Sequence, residues 1–133
     1  MSKEFRFPKI LLIFKSLMLC LMIIKTQLGS SALADERLKT DCYNTLEKAR
    51  LWIRATDFNA PEEEKTRVKS AINIANQACR LAKESAPDDG EVLVNSAYAL
   101  FAAEKKKEAV KLIQEASEIG YPPAMVMMAR YLG

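Results

Sequence analysis

Residues 88–133 read DDGEVLVNSAYALFAAEKKKEAVKLIQEASEIGYPPAMVMMARYLG, and this stretch decides the fold class. Val92, Leu93, Ser96, Ala97, Leu100 and Phe101 recur at three- and four-residue steps, which predicts one buried face on a helix from Gly90 to about Ala103. Asp88 and Glu91 have the spacing of a cap whose third residue reaches back to the capping residue. After Glu104–Lys107 the pattern returns: Ala109, Leu112, Ile113 and Ala116 face inward on a helix extending to Ile119, and Gly120 is placed to end it. Pro122 and Pro123 then set up a short helix from Ala124.

The same reading extends upstream. Pro61, followed by Glu62, Glu63 and Glu64, marks a helix start, because proline fits the first turn and acids meet the positive end of the helix dipole. This helix runs to Ser85, with Val68, Ala71, Ile72, Ala75, Ala78, Cys79 and Ala82 on one face. The alanines predict close helix–helix approach. Before it, Glu36–Asp57 carries Leu38, Cys42, Leu46, Ala49 and Ile53 at helical steps, and Trp52 is read as packing of this helix. The break at Phe58–Ala60 is short, so the two long helices fold back antiparallel. No stretch alternates in the strand manner, and the expected class is all-α with about five helices.

The N-terminus has a different character. Lys3, Arg6, Lys9 and Lys15 precede the apolar run Leu17–Ile24, and Ala32-Leu33-Ala34 offers small residues at a cleavable spacing. Residues 1–34 are therefore read as a secretory signal cut after Ala34, and residues 35–133 as the mature, exported domain, periplasmic or secreted. The apolar run is short of the roughly 20 residues that a stable membrane-spanning helix needs. A retained anchor is the alternative, and the only expected route to a membrane. Cys20 follows Leu19, where a bacterial lipoprotein signal needs a small residue, so lipid attachment there is rejected.

Export changes the charge balance. The chain's formal charge is +3, yet residues 35–133 hold 15 Lys and Arg against 16 Asp and Glu. A basic isoelectric point is thus no argument for nucleic-acid binding, and none is expected. Lys105-Lys106-Lys107 is read as a solvated turn. The mature part keeps Cys42 and Cys79, and an even cysteine count in an exported chain favours a disulfide over two buried thiols.

Comparing the chain with itself at an offset of about 34 residues aligns Ala75 with Ala109, Ala82 with Ala116, Ala86 with Gly120, Val92 with Val126, and Leu93 with Met127. Ala109, Leu112, Ala116, Gly120 and Ala124 in EAVKLIQEASEIGYPPAMVMMARYLG, with Asn95 and Ala97 in VNSAYALFAAE and Pro87 before them, resemble tetratricopeptide-like repeats, particularly the Sel-one-like subclass. The resemblance is clearest over residues 88–133. The first helix pair is longer and lacks the usual aromatic and glycine signature. What the resemblance implies is a short α-α superhelix of antiparallel pairs, stacked so that a concave face is left for a protein or peptide partner. On that face it points to Glu91, Asn95, Tyr98, Met125 and Arg130: Asn95 for a partner's backbone, Tyr98 for flat apolar contact, Arg130 for a carboxylate. Packing is the competing role for Tyr98 and Met125.

The chain has no histidine, which removes histidine triads, histidine acid–base catalysis and histidine zinc sites. Two distant cysteines form neither a CxxC motif nor a metal set, and no glycine-rich phosphate loop is present. Asp88, Asp89 and Glu91 are the remaining carboxylate cluster, and helix capping accounts for them. The expectation is a binding adaptor or scaffold that is not an enzyme and needs no metal or cofactor. A carboxylate-based enzyme or sugar-binding protein using Trp52 is the rival, and self-association through the apolar last helix is the third reading.

Overall fold

The computed structural model describes residues 7–132. They form five helices, α1 (Phe7–Ala55), α2 (Glu62–Ser85), α3 (Gly90–Ala102), α4 (Lys106–Glu118) and α5 (Pro122–Leu132), with no strand among the described residues. The chain divides into two units, residues 1–34 and residues 35–133. In the first, Ile13, Phe14, Leu17, Met18, Leu19 and Leu21 are exposed, and Cys20 is an exposed free thiol.

One expectation about the first helix is corrected: α1 begins at Phe7, not at Glu36. The physical reason is the absence of a stop signal. No proline lies between Lys9 and Ala60, and the lone Gly29 costs a helix only about 1 kcal/mol. At the other end, the Thr56 amide still bonds to the Trp52 carbonyl, and a turn closed by Ala60 N–H to the Asp57 carbonyl reverses the chain. Pro61 then occupies the capping position of α2, its carbonyl accepting from the Glu64 and Lys65 amides. Glu62, Glu63 and Glu64 fill the first turn, where Lys65 and Arg67 pair with Glu62 and Glu63. These glutamates are a helix start.

α1 and α2 pack through small residues. Cys42, Leu46 and Ala49 of α1 meet Ala75, Cys79 and Ala82 of α2 in one buried cluster, joined by Val92 and Ala99 of α3. A disulfide links Cys42 to Cys79 within this core, with Cα atoms 4.4 Å apart. That separation is helped by the contact positions flanking Cys79 on α2, Ala75 and Ala82, which are both alanines. Ser85 Oγ also bonds to the Asp35 carboxylate, fastening the end of α2 to the first residue of this unit.

Ile53 departs from the expected buried face and is 41% exposed. The cause is the mismatch in helix lengths. α2 has 24 residues and α3 has 13, which at 1.5 Å per residue are about 36 Å and 20 Å. α3 ends level with Ile72 and Asn76, since the Asn76 amide bonds to both the Ile72 and the Ala99 carbonyls. Beyond that level Ile53 and Val68 have no third layer to cover them.

A second buried cluster joins Leu93, Val94 and Ala97 of α3, Ala109, Leu112, Ile113 and Ala116 of α4, and Ala124 of α5. Ala75, Ala82, Ala109 and Ala116, which the 34-residue offset pairs, are all buried, whereas Val92 is buried and its counterpart Val126 is exposed. Met127 and Met128 pack on the second cluster, whereas Met125 and Val126 are exposed. The Tyr131 ring stacks on Phe101 at 5.9 Å and holds the end of α5 against α3.

The turns between helices are tightly specified. Asp89, not Asp88, caps α3: its Oδ1 accepts from the Glu91 and Val92 amides, both at 3.1 Å. Asp88 is exposed. Both α3 and α4 end in the same six-to-one motif. Lys105 N–H bonds to the Leu100 carbonyl across Glu104 (φ 63°), and Tyr121 N–H bonds to the Ala116 carbonyl across Gly120 (φ 84°). Gly120 suits that left-handed backbone and Glu104 is strained in it. Gly90 answers to a different need: a Cβ there would stand 2.5 Å from Cβ and Cγ of Tyr121.

Candidate functional site

α1 and α3 are the first helices of the two successive pairs, and a cavity of about 270 Å³ lies between them. Glu36, Lys39, Thr40 and Tyr43 line it from α1, and Glu91, Val92 and Asn95 from α3. The lining follows from the packing. Cys42 and Val92 are buried where the helices meet, so the residues flanking them on each helix form the two walls.

The electrostatics of this groove are organised by one ion pair. Lys39 Nζ contacts Asp89 Oδ2, so the residue that caps α3 also ties α3 to α1. Burial pushes the Asp89 carboxyl up, but the hydrogen bond from Lys39, the Val92 and Glu91 amides and the Lys39 charge outweigh it and hold the group below the ordinary carboxylate range. Lys39 is held above its usual value, first by the hydrogen bond to Asp89, against a smaller opposing effect of burial, with the charges of Asp89, Glu36 and Glu91 adding to it. Burial, with the charges of Glu91 and Asp89, likewise raises the Tyr121 phenol that packs over Gly90.

Glu91 and Asn95 therefore share one wall, a helical turn apart. Tyr98, one turn further along α3, is half-buried and packs against both core clusters. Its hydroxyl donates to Met127 Sδ at 3.6 Å, and the Arg50 guanidinium carbon sits 4.5 Å above its ring. Arg50 is itself paired with Glu47 at 2.6 Å. Tyr98 is thus a joint between α1, α3 and α5. Met125 and Arg130 are exposed on α5, and neither lines the groove.

The α1 wall and Arg50 went unread in the sequence. The signal was present: once Leu38, Cys42 and Leu46 define the inward stripe, Lys39, Tyr43 and Arg50 stand beside it. Their partners on α3 could not be assigned without knowing how the second pair stacks on the first. Trp52, read as packing, is 36% exposed and lines a separate groove on α1 and α2.

The buried Cys42–Cys79 disulfide is compatible with an exported protein. No described helix is long and apolar enough to cross a membrane. Among the described residues, no group of three or more Cys, Asp or Glu side chains is placed to hold a metal ion. No protein-family model, curated protein or solved structure matches the chain.

Proposed function

We propose that this chain is an exported protein-binding adaptor that holds a segment of its partner in the groove between α1 and α3. The reading combines a secretory signal over residues 1–34, cut after Ala34, with a short tetratricopeptide-like or Sel-one-like superhelix over residues 35–133. One observation carries it. The first helices of the two pairs present two facing walls around a cavity, Lys39 and Tyr43 on α1 and Glu91 and Asn95 on α3, mixing hydrogen-bonding, charged and aromatic groups above a disulfide-braced core. Such a set suits an extended peptide, whose backbone Asn95 can bond and whose side chains can lie on Tyr43.

The test is recovery of partners by the C-terminally tagged protein, expressed in its own cells, from envelope and medium. Tyr98 is unsuitable as a probe because its loss disturbs both cores, so the variants are Asn95→Ala and Tyr43→Ala. A specific partner recovered by the unaltered protein and lost with each variant is the expected outcome; equal recovery with both refutes the groove. The intact mass of the exported form checks cleavage after Ala34. A second reading, self-association through α5, draws on the exposed Met125 and Val126. A monomer by light scattering at high concentration eliminates it.

A further inference from the structure

We propose that a second groove, formed by α1 and α2 around Trp52, docks a short acidic amphipathic helix of another protein. This site is independent of the α1–α3 groove. Its cavity of about 300 Å³ is lined by Thr45, Lys48 and Trp52 from α1, and by Arg67, Ser70, Ala71 and Ile74 from α2. Positions 45, 48 and 52 are spaced i, i+3, i+7, and positions 67, 70, 71 and 74 are spaced i, i+3, i+4, i+7. Two helical stripes therefore run side by side and leave a seam between them.

The floor of the seam is apolar and open. Trp52 is 36% exposed, Ile74 is 54% exposed, and Ala71 is too small to fill the gap between them. Antiparallel helices with such a furrow accept the apolar stripe of a third helix. Charge selects which helix. The ionisable residues lining the groove, Lys48 and Arg67, are both cations. Lys48 makes no ion pair among the described residues, and Arg67 spends one guanidinium nitrogen on Glu63 at 2.5 Å, leaving further donors. The occupant is thus a helix with bulky apolar residues for Trp52 and Ile74 and carboxylates for Lys48 and Arg67. An anionic lipid surface is a poorer fit: the exposed Glu63 and Glu64 stand about a turn before Arg67 and repel an extended negative plane, whereas a single helix can lie along the seam with its carboxylates toward Lys48 and the unpaired guanidinium nitrogens of Arg67, away from these acids.

Trp52 is the chain's one tryptophan, so its fluorescence reports this groove alone. The full chain is titrated with a synthetic amphipathic helix of about 18 residues carrying leucines on one face and glutamates along its edges, long enough to be helical when bound. A twin with lysine in place of each glutamate, and vesicles of anionic phospholipid, are the comparison arms. The glutamate peptide is expected to shift Trp52 emission to the blue and protect it from acrylamide, with the lysine twin inert. The double variant Lys48→Glu, Arg67→Glu, with an unchanged circular dichroism spectrum, is expected to weaken binding by about tenfold or more, whereas Asn95→Ala leaves it intact. The proposal is overturned by no response to the glutamate peptide, by an equal response to the lysine twin, by indifference to the charge reversal, or by a response to vesicles alone.

Discussion

Opening the Cys42–Cys79 bond is expected to be the largest single loss of stability in this protein. The cross-link joins residues separated by 37 positions. In the chain-entropy treatment, a loop of that length removes about 4 kcal/mol of freedom from the unfolded chain. A domain of this size has about 5–15 kcal/mol in total, and about 4 kcal/mol corresponds to roughly 15–30 °C in melting temperature. Urea unfolding of the oxidised protein, the reduced protein and the Cys42→Ala, Cys79→Ala variant separates two effects. Oxidised against reduced isolates the cross-link, since both sulfurs remain in the core; reduced against double alanine isolates their packing. The first difference should dominate and should raise the slope of the transition, because the opened chain exposes more surface. A shift of less than about 1 kcal/mol on reduction would show that this small domain does not depend on its cross-link.

Four further outcomes follow from particular residues. Glu104→Gly relieves the left-handed strain at the end of α3 and should raise stability by about 1 kcal/mol, while Gly120→Ala, at the matching position after α4, should lower it by a similar amount; a melt in which both shift the same way contradicts the assignment. Gly90→Ala forces a methyl group onto Cβ and Cγ of Tyr121 and should cost about 1–3 kcal/mol, with a double-mutant cycle to Tyr121→Gly, which removes both atoms, showing that the two losses do not add. The Asp89 carboxyl is lowered on folding, so its contribution is present above the unfolded value of about 4 and fades as pH falls through the depressed folded one; Asp89→Asn should flatten the acid limb of a melting-temperature profile. The converse holds for Lys39, raised on folding: its contribution is present below about 10.4 and is lost as pH rises through the folded value, and Lys39→Met should flatten the alkaline limb.

The legible parts of this fold are those where one residue carries a local instruction. Pro61, Gly120 and Pro122 set the boundaries of α2, α4 and α5, and the stripe Ala109, Leu112, Ile113 and Ala116 is buried in full. What resisted reading required knowledge of a neighbour. Asp88 and Asp89 are equally good caps by type, and the choice falls to the one that also reaches Lys39 on α1. Ile53 has the right periodicity and the wrong depth, because the shorter α3 stops before it. In the groove, Glu91 and Asn95 could be named from α3 alone, whereas Lys39 and Tyr43 acquire meaning only when α1 is laid against it. Tyr98 shows the same limit from the other side, since its position on the helix fits a contact surface and its packing makes it a joint.

The two core clusters explain why the cross-link lies where it does. The cluster around α4 contains Leu93, Val94, Leu112 and Ile113, large enough to bury substantial apolar surface without help. The cluster around α1 and α2 has one leucine, Leu46, among alanines, two cysteines and Val92. Small side chains let helices come close but remove little apolar area from water, so the α1–α2 pair has the weaker hydrophobic support. A disulfide at that contact offsets the deficit without adding bulk. α1 supplies one wall of each groove, with Lys39 and Tyr43 for the first and Lys48 and Trp52 for the second. The bond that compensates for a sparse core therefore also anchors the helix that lines both grooves, and opening it is expected to loosen the two proposed binding surfaces together.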